Sequence, residues 1–82
     1  MIERQVTVSI ESGLQASTAA RFVQEANRFS SDLFIEKDGK RINAKSIMGL
    51  MSLAIIQGET VTLVADGTDE MVAMNELISL IS

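Results

Sequence analysis

The chain has 82 residues, 46% of them hydrophobic, with a formal net charge of −4, which predicts a single domain spanning 1–82 with a small core of its own. The absence of cysteine and histidine excludes thiol nucleophiles, disulfides, the usual zinc sites, the serine–histidine triad and phosphohistidine chemistry, and no metal or cofactor is expected. With no Trp, no Tyr, three Phe and a negative balance, direct contact with nucleic acid is not expected; no apolar run approaches the ~20 residues of a membrane span, and MIERQVTV lacks a signal-peptide pattern, so the expected location is the cytoplasm.

QVTVSI, residues 5–10, alternates polar and apolar, with Val6, Val8 and Ile10 on one side, and predicts a half-buried strand. Ser12-Gly13 breaks it. From Ala16 to about Phe29 the period changes: Ala19, Phe22, Val23 and Ala26 form the stripe of an amphipathic helix, with Ser17 or Thr18 as capping candidates and Asn27, Ser30 and Ser31 as its stop. LFIEKDGKRIN, 33–43, predicts a hairpin that turns at Asp38-Gly39, with Leu33, Ile35 and Ile42 on the core face and Phe34 on the opposite, open face.

Ser46 then sits where a helix N-cap sits, before a short helix of about 47–53. Gly58 ends that region, and TVTLVAD, 60–66, is an alternating strand with Val61, Leu63 and Ala65 inward. After Gly67, Asp69 caps a last helix whose stripe is Ala73, Met74, Leu77 and Ile81. The order β-α-β-β-α-β-α predicts an α+β open-faced β-sandwich: a four-stranded, mostly antiparallel sheet with three helices on one face.

Two readings of Ser46 stand side by side. As a cap it accepts a backbone N–H, worth about 1 kcal/mol. As a phosphorylation site it would place an anion where free N–H groups favour one and would change what the surface binds. The short helix cannot bury all of Ile47, Met48, Leu50, Met51 and Leu53; if Leu50 and Leu53 face the sheet, Met48 with parts of Ile47 and Met51 stays near solvent. That is either a generously apolar core helix or a docking patch. Gly49 weakens the helix by ~1 kcal/mol relative to alanine. Lys37, Lys40, Arg41 and Lys45 form a basic cluster, read as a solvated hairpin edge, as help to a kinase carrying nucleotide, or as a shield for an added phosphate.

SDLFIEKDGKRINAKSIMGLMSLA, 31–54, closely resembles the HPr phosphocarrier family, and GLQA with FVQEANRF is similar to its catabolite-repression branch, Crh; the resemblance covers nearly the whole chain. It implies that Gln15 occupies the position of the family's phosphoryl-carrying histidine, whose setting is GxHARPA. A glutamine amide cannot form a phosphoramidate, so a sugar-transport phosphocarrier role is excluded and the chain is expected not to be an enzyme. The resemblance further implies that Ser46 is phosphorylated by an HPr kinase/phosphorylase, and that the product binds the repressor catabolite control protein A as its corepressor. The implied docking positions are Ile47, Met48 and Met51, with Ala20 and Gln24 on the neighbouring helix. One departure is clear: Ser17-Thr18 stands where the family has Arg-Pro, which removes a charged donor from the partner surface. That keeps open an alternative, a regulator that binds a metabolic enzyme while unphosphorylated. Crh-like proteins also exchange their first strand between protomers, which implies a hinge at about Glu11 to Leu14 and a strand-swapped homodimer as an open alternative to the monomer.

Overall fold

A computed structural model describes residues 1–82. The elements run β1 (Ile2–Thr7), α1 (Ala16–Ala26), β2 (Asp32–Lys37), β3 (Lys40–Asn43), α2 (Ile47–Ser52), β4 (Thr60–Asp66) and α3 (Glu70–Ile81). The strands lie in the order β1-β4-β2-β3, every neighbouring pair antiparallel. This is the expected open-faced α+β architecture. Residues of alternating strands and of the helix stripes, among them Phe22, Leu33, Ile35, Leu50, Leu63, Leu77 and Ile81, meet in one core.

The hairpin turn is built as Asp-Gly dictates. Asp38 and Gly39 both take positive φ, +52° and +79°, the twist that suits a two-residue connection between right-twisted strands. Phe34 lies on the open face, paired with Val64 and Asn43, and the Arg41 guanidinium stands 5.7 Å from its ring centroid.

Two boundaries differ from the pattern. The first strand is Ile2–Thr7 rather than 5–10. Its ladder ends at Thr7↔Thr60 because β4 begins there. Val8 still exchanges backbone hydrogen bonds with Gly58 and Glu59, but the Ser9 N–H already turns to the Ile81 carbonyl, 2.7 Å away. Val8 remains buried and Ile10 half-buried, so the alternation marked the correct face but not the paired span. Helix α1 closes at Ala26, short of Phe29: past it the Arg28 and Phe29 N–H groups bond the Glu25 and Ala26 carbonyls three residues back (3.1 and 3.3 Å), and the Asn27 side-chain Nδ2 takes the Val23 carbonyl (2.9 Å).

Asp69 departs from its expected role. It holds the N-cap position of α3, but its carboxylate makes no capping bond. It turns to the α1–β2 loop instead, accepting from the Ser30 N–H (2.9 Å), the Ser31 N–H (3.0 Å) and the Ser31 hydroxyl. Glu70, the first residue of α3, puts a negative charge at the helix N-terminus and accepts from the Gly67 N–H of the preceding turn at 3.0 Å. The Ser31 hydroxyl, then the Ser30 N–H, hold the Asp69 carboxyl down from 3.8 to about 2. Its folded value is depressed, so its contribution to stability is present above pH 3.8 and is lost as pH falls toward 2. Asp69→Asn is expected to lower the melting temperature at neutral pH and to flatten the acid limb of a Tm-against-pH curve; an unchanged acid limb would show that the Asp69 contacts do not stabilise the fold.

Candidate functional site

Ser46 precedes α2 in extended backbone, φ −109° and ψ 115°. Its Oγ accepts the Gly49 N–H at 3.1 Å, the N-cap bond that satisfies one of the orphan donors of the first turn. Oγ acts there as an acceptor, so its own proton stays available. The side chain is exposed.

Behind the cap, α2 is too short to hide its residues. Leu50 and the C-cap Leu53 are buried, whereas Met48 is 82% exposed, Met51 50% and Ile47 38%. The far end of the helix is clamped by a lysine. Lys37 Nζ donates to the Leu53 and Ala54 carbonyls (3.0 and 3.1 Å) and pairs with Glu59 at 2.9 Å. A cation over the last carbonyls complements the helix dipole. The Ile56 N–H, followed by the Lys37 ammonium, draws the Glu59 carboxyl below its ordinary value. Ala54 ends the helix with φ +50°, in the left-handed region where a side chain is strained.

Helices α1 and α2 run side by side in opposite directions. Asn27 Nδ2, at the end of α1, lies 3.5 Å from the Lys45 carbonyl before α2. The Leu14 N–H, before α1, bonds the Ile55 carbonyl after α2. Ala20, Gln24 and Asn27 share one face of α1 by helical spacing, and Asn27 places that face beside α2. Ala20 is half-buried and Gln24 exposed. Ala20 and Gln24 thus border the exposed part of α2. Gln15, the N-cap residue of α1, sits at the other end of that helix from Lys45 and Ser46. Eleven helical residues separate the two ends, about 16 Å of rise.

The entry to α1 is tightly built. The Gln15 N–H donates to Thr18 Oγ1 (3.1 Å), whose hydroxyl lies 2.5 Å from the Gly13 carbonyl and 2.7 Å from that of Gln15. Of the two capping candidates, Thr18 therefore takes the role and Ser17 stays exposed. Ala16 opens the helix at φ +51°. Gly13, at φ +65°, passes so close to the 55–57 segment that a Cβ there would lie 2.5 Å from the Ile55 carbonyl oxygen. A cavity of about 100 Å³ opens beside this entry, lined by Ile10, Leu14, Phe22, Leu80 and Arg21.

The basic cluster does not converge on Ser46. Lys37 clamps the opposite end of α2, Arg41 pairs with Glu36 at 2.7 Å, and Lys45 Nζ donates to the Phe29 carbonyl at 2.7 Å. Lys40 Nζ reaches only Ser52 Oγ, at 3.5 Å. These roles had no sequence signal beyond charge, since each depends on a carbonyl or carboxylate brought near by the fold.

A family profile described as the PTS HPr component phosphorylation site matches residues 2–82. The HPr-like protein Crh of Halalkalibacterium halodurans is 64% identical over 81 residues, covering 99% of this chain and 96% of that protein. Among solved structures, the phosphocarrier protein HPr of Bacillus anthracis superposes with a TM-score of 0.97 at 53% identity, covering 99% of this chain and 96% of that one. Crh of Bacillus subtilis, described as a domain-swapped, intertwined dimer, superposes with a TM-score of 0.78 at 59% identity, covering 98% and 92%. The chain belongs to the HPr family, whose members are non-enzymatic carriers or regulators, and within it is Crh-like.

Replacing Ser46 by Ala removes one cap bond on an exposed turn. Ser46→Ala is expected to lower stability by about 1 kcal/mol with the fold retained, read from urea or thermal unfolding; a loss above about 3 kcal/mol would mean that the side chain supports more than the cap.

Proposed function

We propose that the chain is a regulator of carbon catabolite repression, phosphorylated on Ser46 by an HPr kinase/phosphorylase and then acting as corepressor of catabolite control protein A. The observation that carries this reading is the pairing of an exposed Ser46 hydroxyl with the exposed side chains of Ile47, Met48 and Met51 on the same short helix. A phosphate on Ser46 adds roughly 1.5 to 2 negative charges and three acceptor oxygens. It pairs with arginine or lysine of the partner in charge-assisted hydrogen bonds, while the two methionines fill an apolar recess. Ala20 and Gln24 extend the contact onto α1. A cytoplasmic location is part of this reading.

The chain has no histidine, and by resemblance Gln15 stands at the carrier position, so relay of a phosphoryl group to sugar is outside this function. Ser17, in place of the family's arginine, withdraws one charged donor from the end of the surface remote from Ser46, which weakens or retunes binding to the repressor. As in the Bacillus subtilis relative, whose structure is described as a swapped dimer, the edge strand β1 with its hinge at 11–14 can exchange between two copies. The exchange leaves α2 outside the moving segment.

Intact-mass measurement after incubation with an HPr kinase/phosphorylase and ATP tests the modification. One added phosphoryl group on the wild type and none on Ser46→Ala is the expected result. No addition to the wild type would overturn the reading in favour of a regulator that works unphosphorylated.

A further inference from the structure

Gly49 has no backbone reason to be a glycine. It lies inside α2, and its φ is not among the positive ones. Alanine there would favour the helix by about 1 kcal/mol. What distinguishes the position is the space above it. A Cβ at residue 49 would sit 3.3 Å from Ser46 Oγ and 3.5 Å from the Cβ atoms of Ser46 and Ile42. The first of these is tighter than an ordinary contact, so even the bare hydroxyl would have to give by a few tenths of an ångström. A phosphoryl group on Oγ demands more room, since phosphorus and three oxygens are added to the very atom that the methyl would crowd. The Gly49 N–H already points at Oγ, so residue 49 flanks the acceptor atom directly.

We propose that the missing side chain of Gly49 determines how readily Ser46 is phosphorylated: it keeps Oγ free to attack the γ-phosphorus in line and leaves room for the phosphate that results. The proposal rests on the reading of Ser46 as a modified residue. In the step itself the Oγ–P bond forms to the γ-phosphoryl of a nucleoside triphosphate as the bond to the leaving nucleoside diphosphate breaks. The bonding pair departs with the diphosphate, and the serine proton passes to a base of the kinase. Gly49 supplies no group to this chemistry. It acts through Ser46, as a positioning residue.

The test measures steady-state phosphorylation by an HPr kinase/phosphorylase with ATP, read by intact mass, on wild type, Gly49→Ala and Gly49→Val. Circular dichroism and thermal unfolding establish that each variant is folded. The expected result is a fall in kcat of roughly tenfold or more for Gly49→Ala, with KM for the protein substrate within about twofold of wild type, and a deeper fall for Gly49→Val. Crowding at Oγ moves kcat, whereas a lost kinase contact moves KM. Equal kcat in wild type and folded Gly49→Ala, a rise in KM alone, or Gly49→Val faster than Gly49→Ala would each overturn the proposal while leaving Ser46 a phosphorylation site. A wild type that takes no phosphate would remove the reading of Ser46 itself, and the role of Gly49 with it.

Discussion

A helix of fewer than two turns cannot bury four large apolar side chains, and the character of this molecule follows from that limit. Helix α2, Ile47–Ser52, commits Leu50 to the core and leaves Met48, Met51 and part of Ile47 in solvent. Exposed apolar surface is worth about 25 cal/mol per Å² to whatever covers it, so the area that folding leaves uncovered is available to a partner. So short a helix also needs help at both ends. At its start, Ser46 caps Gly49. At its finish, Lys37 takes the Leu53 and Ala54 carbonyls and is held in turn by Glu59. The surface that presents the methionines is thus fixed by the buried Leu50 and Leu53, by polar contacts at both ends of the helix and by the antiparallel neighbour α1.

The disposition of charge suits a switch that is read by another molecule. Three of the four cations nearest to Ser46 in sequence are engaged within the chain: Lys37 on the end of α2, Arg41 on Glu36 and Lys45 on the Phe29 carbonyl. With these three committed, most of the charge of a phosphate on Ser46 would be left for an arginine or lysine of the partner. On the open face of the sheet, away from the helices, Phe34 is half-covered by Arg41. Gln15 lies at the far end of α1 from Ser46, so the two positions do not share surroundings.

Much of the fold was legible in the sequence because local and tertiary preferences agree. Asp38-Gly39 permits only a tight turn between two apolar-alternating runs; TVTLVAD alternates over the whole of β4; and the stripe Ala73, Met74, Leu77, Ile81 matches the buried side of α3. Ser46 was legible as a cap for the same reason, since its partner is three residues away. The exposure of Met48 and Met51 followed from helix length alone. What was not legible depends on residues distant in sequence. Asp69 looks like a cap, yet the Ser30–Ser31 loop, 38 and 39 residues away, competes for its carboxylate and wins. The end of β1 is set by where β4 begins. The lysines read as a basic patch because nothing local shows that backbone carbonyls will occupy them. The room above Gly49 is a matter of where Ser46 and Ile42 come to lie.

The most direct measurement is the affinity of catabolite control protein A for this chain in its unmodified and Ser46-phosphorylated forms, by isothermal titration at one salt concentration. A charge-assisted contact that exists only in the modified form is expected to make phosphorylated protein bind at least roughly tenfold more tightly, with the gain shrinking as salt rises. Equal affinity for the two forms would contradict a phosphate-read docking surface on α2.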